Sequence, residues 1–456
     1  MSVSQLFDNQ KAFFDTHQTL SVQFRKDQLR ALRKLLTDHH ESLLDALEAD
    51  FNKPRYEAYI TEILPLLHEI DHHLKHIKRW AAPQRAKGSL LIFPSRNRIL
   101  YRPFGTVLII AAWNYPIHLL LMPLIGAISA GNTAILKPSE LAPETARTLR
   151  QIFDSQFDPD YLRVVEGGAE TGKKLLENPF DLIFFTGGRE TGKKILRAAA
   201  EYLTPTVLEL GGKSPAIIHH DADLELAAKR IWWGKCINSG QTCVAPDYLM
   251  IHKNAVDRFI GHLKRVHQEF FTSKNGTEHP DTCIVHQEQY ERLVRFLDQG
   301  EVLLGGSVDP DRRYIEPTLL RSDPSSPVMK EEIFGPILPF IVYEEMEELA
   351  RQIERNPDPL AFYLFTKDRQ LQNTLIEEIP FGGGCINDTI MHLGNPHLPF
   401  GGVRRSGFGS YHGEHSFKTF SYQKSITYKP AWPDPDFRYP PYTSKMFNLI
   451  KKYFHR

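Results

Sequence analysis

The chain has 456 residues, too many for one ordinary hydrophobic core, so two or three lobes are expected. Lys plus Arg and Asp plus Glu number 55 each, so no global field draws nucleic acid or an anionic membrane. Four cysteines make no disulfide framework in a chain this long. The opening MSVSQLFDNQKAFFD lacks the basic-then-apolar run of a signal peptide, and the expected compartment is a reducing cytoplasm.

Residues from about 22 to 80 carry leucines at helical spacing, among them Leu29, Leu32, Leu36, Leu43, Leu44 and Leu47, and predict two or three long amphipathic helices. Residues 105–131 are nearly charge-free and long enough to span a bilayer. Asn114, Pro116 and His118 interrupt the run, which instead reads as a buried strand (106–111), a turn at Trp-Asn-Tyr-Pro and a buried helix (about 117–130). Further strands are expected at 134–137, 163–166, 181–186 and 206–210, most of them separated by helical segments. That alternation implies βαβ units and a parallel, doubly wound sheet. A second α/β stretch, about 211–390, carries strands near 216–219, 248–252 and 360–365. The Pro- and Tyr-rich tail from about 430 reads as a surface wrap. Its final KMFNLIKKYFHR is too short to span a membrane. A helix docked on the protein is the first reading, and a weak peripheral membrane contact the second.

The stretch DLIFFTGGRETGKKIL (181–196) joins an apolar strand, a glycine turn and a helix start. Gly187, Gly188 and Gly192 let a ligand approach the backbone, and the helix start at Arg189, Glu190 and Thr191 offers N–H groups to a phosphate. The spacing is not G-x-G-x-x-G, so an ordinary strand-to-helix turn fits as well. AILKPSE ends another strand with Lys137 and Glu140, which suit ribose hydroxyls at a sheet edge or simply a solvated turn. In TVLELGGKSP, Glu209 lies inside an apolar strand, where burial raises a carboxyl toward the range of a general base; a structural carboxylate is the alternative. Cys236 and Cys243 are not at a zinc spacing, and no second pair completes four ligands, so no metal is expected. Cys236 falls on a helical pattern as a small apolar residue. Cys243 follows Gly240, Gln241 and Thr242, which suit a turn that exposes a thiol, so it reads as a nucleophile or a structural residue.

Together WNYP (113–116), LKPSE (136–140), FFTGG (184–188), LELGGKSP (208–215), GQTCVAPDY (240–248), EEIFGP (331–336), INDT (386–389) and PFGGVRRSGFG (399–409) resemble the NAD(P)-dependent aldehyde dehydrogenase superfamily, in its order, from about residue 20 to 425. APDY after the cysteine and FRYPPYT near the end resemble its class 3 branch and bacterial relatives, which take fatty and aromatic aldehydes and usually dimerise. The resemblance implies Cys243 as nucleophile and Asn114, with the Cys243 backbone N–H, as oxyanion donors. It implies Glu209 as the base that activates water, with Glu332 a second candidate. Glu332 and Phe334 would hold the nicotinamide ribose and flank the ring, Lys137 and Glu140 the adenine ribose, and residues 187–192 the pyrophosphate. The implied cofactor is NAD, with NADP left open by Arg189 where the family usually has Ser or Thr; Glu140 favours a free 2′-hydroxyl. Arg404 and Arg405 replace smaller residues and read as a solvated loop or as charge near the substrate entrance. The implied fold is a Rossmann-type cofactor domain (1–82 and 99–209), an α/β catalytic domain (210–390) and a small β oligomerisation arm with the tail (83–98 and 391–456). The implied activity is oxidation of a medium- or long-chain aliphatic or aromatic aldehyde to the acid. Cysteine esterase or acyl transfer without hydride transfer, and a silent structural homologue, are the rival readings.

Overall fold

A computed structural model describes residues 2–89, 92–271, 282–434 and 438–454. The helical N-terminal region contains Val22–Asp38, His40–Phe51 and Leu64–Trp80. Ser21 caps the first of these by accepting from the Phe24 N–H, and Leu29, Leu32, Leu35 and Leu36 form its buried stripe. An earlier helix, Val3–Asp15, lies outside the sequence expectation.

Two sheets organise the chain. The first has six strands in the order Gly407–Phe408, Thr206–Leu210, Leu182–Gly187, Thr106–Ile110, Thr133–Lys137 and Leu162–Val164. Five run parallel, and Gly407–Phe408 pairs antiparallel at one edge. The second has seven, in the order Glu301–Leu304, Thr318–Arg321, Ile337–Tyr343, Tyr248–His252, Pro215–Ile218, Ala361–Phe365 and Gly383–Ile386. All but the edge strand Glu301–Leu304 are parallel. Every residue of Thr133–Lys137 and of Ala361–Phe365 is buried, as strands covered by helices on both faces require. A third, antiparallel sheet joins Gln84–Ala86, Arg96–Pro103 and Ser421–Tyr428. It takes in all of Arg96–Pro103, past the expected limit of 98.

The apolar stretch after residue 105 forms core. His118–Ala130 is buried along its length from Leu119 onward, and Glu62 accepts the Ile117 and His118 N–H groups at its start. Among the described residues no helix is long and apolar enough to cross a membrane. The C-terminal helix Ser444–Phe454 departs from the docked reading, since Phe447 and Ile450 on it stay exposed. Residues 435–437 and 455–456 of the expected tail lie outside the described residues, as do 90 and 91 of the arm.

Candidate active site

The C-terminal ends of the first sheet face the second across a cavity of about 700 Å3. Its lining brings together Asn114, Glu209, Cys243, Glu332 and Phe334 with the turn from Gly187 to Thr191. Gly192 lies just behind that turn, where a Cβ would come 2.9 Å from Leu210, so glycine lets the helix sit close on the strand. Lys137 and Glu140 lie outside this lining, at the end of the neighbouring strand.

Cys243 owes its position to an unusual turn. The helix Leu224–Cys236 ends at Cys236, seven residues short of Cys243, so no helix links the two thiols. Asn238, Ser239 and Gly240 then all take left-handed backbone, at φ 53°, 49° and 69°. Two of the three are not glycine, so the conformation is held from outside. Glu57 accepts the Asn238 N–H at 2.8 Å, and Ser239 Oγ donates to the Thr282 carbonyl at 2.6 Å. Gln241 is spanned on both ends of its amide, with Nε2 on the carbonyls of Asn238 and Cys283 and Oε1 on the Val285 N–H. Gly240 is required because a Cβ there would stand 2.2 Å from the Gly335 carbonyl.

Asn114 is tied to the same turn: its Nδ2 donates to the Gln241 carbonyl at 3.0 Å, and its carbonyl accepts from Asn238 Nδ2 at 2.9 Å. One N–H of the Asn114 amide is thereby used, and the amide carries a second. Tyr115 bonds Thr242 Oγ1 at 2.7 Å, fixing the residue before the cysteine. The Lys53 ammonium lies over the Tyr115 ring and pairs with the buried Glu62 at 2.9 Å.

Glu209 is buried, with Oε2 accepting from Tyr411 OH at 2.9 Å and Thr186 Oγ1 at 3.1 Å. Its Oε1 faces Cys243 Sγ at 3.6 Å. Burial raises the Glu209 carboxyl above its ordinary value, partly offset by these donors. Burial, then the carboxyls of Glu209 and Glu332, push the Cys243 thiol well above its usual range. The cysteine is therefore a thiol at rest, next to the group that can take its proton. Glu332 is pushed up to about 8 by burial and by Asp247, so it is largely protonated near neutrality. Its loop is fastened by Lys213, which bonds Asp247 and the carbonyls of Val328 and Glu331, and by Asp247, which accepts the Ile333 N–H at 2.9 Å. Phe334, at φ 54°, presents its ring to Trp113 at 5.5 Å, and Trp113 meets Phe51 at 6.4 Å.

The residues present fit a dinucleotide. The helix Arg189–Ala200 begins at Gly188 with no side-chain cap, so its first N–H groups are free for an anion. A Cβ at Gly188 would meet nothing within 4 Å, which marks open space before those groups. Arg189 Nε donates to the Arg405 carbonyl at 3.1 Å, and Arg405 lines the cavity beside it. Arg405 thus lies beside the glycine turn at Arg189, while Arg404 pairs with Asp358. Lys137 and Glu140 form an ion pair at 2.8 Å, which, against burial, holds the Glu140 carboxyl below its ordinary value.

Sequence reasoning missed Glu57, Thr186 and Tyr411, which hold the turn and the Glu209 carboxyl. Lys213 and Asp247 lie within the quoted motifs LELGGKSP and GQTCVAPDY, yet their pairing gave no local signal.

The aldehyde dehydrogenase family profile matches residues 1–426. The 4,4'-diaponeurosporen-aldehyde dehydrogenase of Staphylococcus aureus is 45% identical, covering 99% of each chain. Aldehyde dehydrogenase family 3 member A2 of Macaca fascicularis is 41% identical over 92% of this chain and 87% of its own. A substrate-bound structure of Staphylococcus aureus AldH superposes with a TM-score of 0.96 at 44% identity, covering 100% of both chains. A Mycobacterium tuberculosis aldehyde dehydrogenase complexed with NAD+ matches at 27% identity and TM-score 0.80, over 88% of this chain and 84% of that one. The chain belongs to the aldehyde dehydrogenase family. It is an NAD(P)-dependent oxidoreductase that converts aldehydes to carboxylic acids.

Proposed function

We propose that Cys243 is the nucleophile, Glu209 the base and Asn114 an oxyanion donor in the oxidation of a long apolar aldehyde. The observation that carries this reading is the 3.6 Å approach of Glu209 Oε1 to Cys243 Sγ, with Oε2 already bonded by two donors. Glu209 takes the thiol proton as sulfur attacks the aldehyde carbon. The free N–H of Asn114, with the Cys243 backbone N–H, holds the developing oxyanion, a donor whose loss typically costs ~10²–10³ in rate. A bound NAD(P) would supply the hydride acceptor, and loss of hydride from the carbon held on Cys243 leaves a thioester there. Glu209, having passed the thiol proton to solvent, then draws a proton from water as it attacks the thioester, and returns that proton to sulfur as the acid departs. Glu332, protonated near neutrality, suits hydrogen bonding to a ribose better than proton abstraction.

The residues 187–192, Glu332 and Phe334 would hold the pyrophosphate, ribose and nicotinamide. Lys137 and Glu140 would take the adenine ribose, with Glu140 favouring NAD because its charge repels a 2′-phosphate. The aromatic file Phe51–Trp113–Phe334 supports an apolar substrate, as does similarity to a relative named for a carotenoid aldehyde. The two parallel sheets and the antiparallel third support a three-part division into cofactor domain, catalytic domain and arm, although Gly407–Phe408 of the expected tail joins the first sheet. Ser421–Tyr428 is an exposed eight-residue edge strand carrying Tyr422, Ile426 and Tyr428, which supports homodimer pairing. The exposed apolar residues of Ser444–Phe454, with Lys451 and Lys452, support a peripheral lipid contact by a cytoplasmic protein. Aldehydes of increasing chain length, each assayed with NAD and NADP for reduced nicotinamide absorbance, test the reading. A rise that strengthens with chain length supports it; ester cleavage without any rise sinks it.

A further inference from the structure

The strands Pro215–Ile218 and Tyr248–His252 run parallel with Ile218 opposite Ile251. Their starts adjoin the catalytic cavity through Gly212 and Lys213, so their C-terminal ends point away from it. At this far end the chain turns through His219, His220 and Asp221, and His252 closes the adjacent strand. The three imidazoles crowd together: ring centroids lie 4.0 Å apart for His219–His220, 5.1 Å for His220–His252 and 5.7 Å for His219–His252. We propose that this corner binds a divalent transition-metal ion of the zinc, nickel or copper kind, through the imidazoles of His219 and His220, with His252 as a third ring.

Three features argue for it. First, ligand atoms of His219, His220 and Asp221 all lie within 4.8 Å of one another. Two nitrogens bound to one ion at about 2.1 Å are at most about 4.2 Å apart, so small side-chain rotations close the site. Second, His219 Nδ1 lies 2.9 Å from Asp221 Oδ1, and Asp221 is itself fixed by Thr366 Oγ1 at 2.7 Å and the Lys367 N–H at 2.9 Å. A carboxylate behind an imidazole sets the tautomer with Nδ1 protonated, which leaves the Nε2 lone pair for a metal. Third, a donor set of imidazoles with a carboxylate behind them suits zinc, nickel or copper and not the oxygen-seeking calcium or magnesium.

The neighbouring charges permit this. Lys253, next to His252, is paired with Glu344. His252 Nδ1 accepts the Asn254 N–H at 3.2 Å, so ligation through its Nε2 gives up that long bond; two imidazoles and water complete a site without it. Tyr343 packs edge-on against His252 at 5.4 Å and holds that ring in place.

Calorimetric titration of the full chain with zinc chloride, repeated with nickel chloride, is the test. Cys243→Ser is titrated in parallel, because the catalytic thiol is the competing zinc ligand. One equivalent is expected to bind in both native and Cys243→Ser proteins. His220→Ala, on an exposed ring, and Asp221→Asn should each weaken it by about tenfold or more. Zinc should raise the melting temperature of the native protein and not that of His220→Ala. Absence of binding, binding lost only in Cys243→Ser, or binding unchanged in both His220→Ala and Asp221→Asn overturns the site.

Discussion

Glu209 Oε1 lies 3.6 Å from Cys243 Sγ while Tyr411 and Thr186 occupy the other oxygen. The carboxylate is thereby aimed, since rotating it toward solvent would break two bonds in a buried setting.

Tyr411→Phe removes one of these donors, and the donor favours the charged form of Glu209. The carboxyl pKa therefore rises further. If Glu209 is the base, as proposed, catalysis needs the carboxylate and activity climbs as pH rises through that pKa. The rising limb of kcat/KM against pH should move upward by about one unit in Tyr411→Phe, the size expected for one hydrogen bond to a charged group. An unchanged limb would mean that Tyr411 only packs.

The two cysteines on either side of the left-handed turn should separate cleanly. Cys243→Ser should lower kcat by more than about 10³-fold, as loss of a nucleophile does. Cys236 is buried at the end of its helix, so Cys236→Ser places a hydroxyl in an apolar setting. That change should cost about 1–3 kcal/mol of stability and leave most activity intact. Denaturant melts and steady-state rates on both variants check the pair.

Glu57 carries the left-handed turn from 181 residues away in sequence. Glu57→Ala leaves the Asn238 N–H without its acceptor, at about 1–3 kcal/mol, and lets the turn relax. The expected outcome is a fall in kcat with KM little changed, and recovery of most of it in Glu57→Gln, whose amide oxygen still accepts. If the alanine and glutamine variants behave alike, the hydrogen bond is not what positions Cys243.

The Glu140 carboxylate is paired with Lys137, and under the proposed reading its charge sets the cofactor preference. Neutralising it in Glu140→Gln should raise the ratio of kcat/KM for NADP over NAD by roughly tenfold, about 1.4 kcal/mol of relieved repulsion. Initial rates with each cofactor decide this; a constant ratio removes Glu140 from cofactor choice.

Much of the first sheet was legible, because each strand is an apolar run closed by a glycine, proline or helix start. The strand expected at 206–210 is Thr206–Leu210, and the one expected at 181–186 is Leu182–Gly187. The second sheet was less so. Ile337–Tyr343 contains Pro339, which argues against a central strand, yet its ladder with Tyr248–His252 begins at Phe340, so the missing N–H falls before that pairing starts. Gly383–Ile386 reads as a turn because Gly383 and Gly384 supply no side chain, although a Cβ at Gly384 would stand 2.1 Å from the Phe362 carbonyl. In the site, chemistry singled out Cys243 and Glu209 as candidates beside structural alternatives, and Asn114 entered only through the family resemblance. Tyr411 and Glu57 did not, since each acts on a residue far along the chain and neither sits in a pattern of its own.

The central claim is that Cys243 carries the acyl group and Glu209 releases it. Glu209→Gln keeps an oxygen for Tyr411 and Thr186 but removes the base. Mixed rapidly with NAD and a long-chain aldehyde, it should form reduced nicotinamide more slowly than the native enzyme, because the thiol has lost its proton acceptor, and nearly stop at one per site. Peptide mass spectrometry of the quenched enzyme should find the acyl group on Cys243. Steady turnover in Glu209→Gln, or an acyl group on any other residue, would contradict the account.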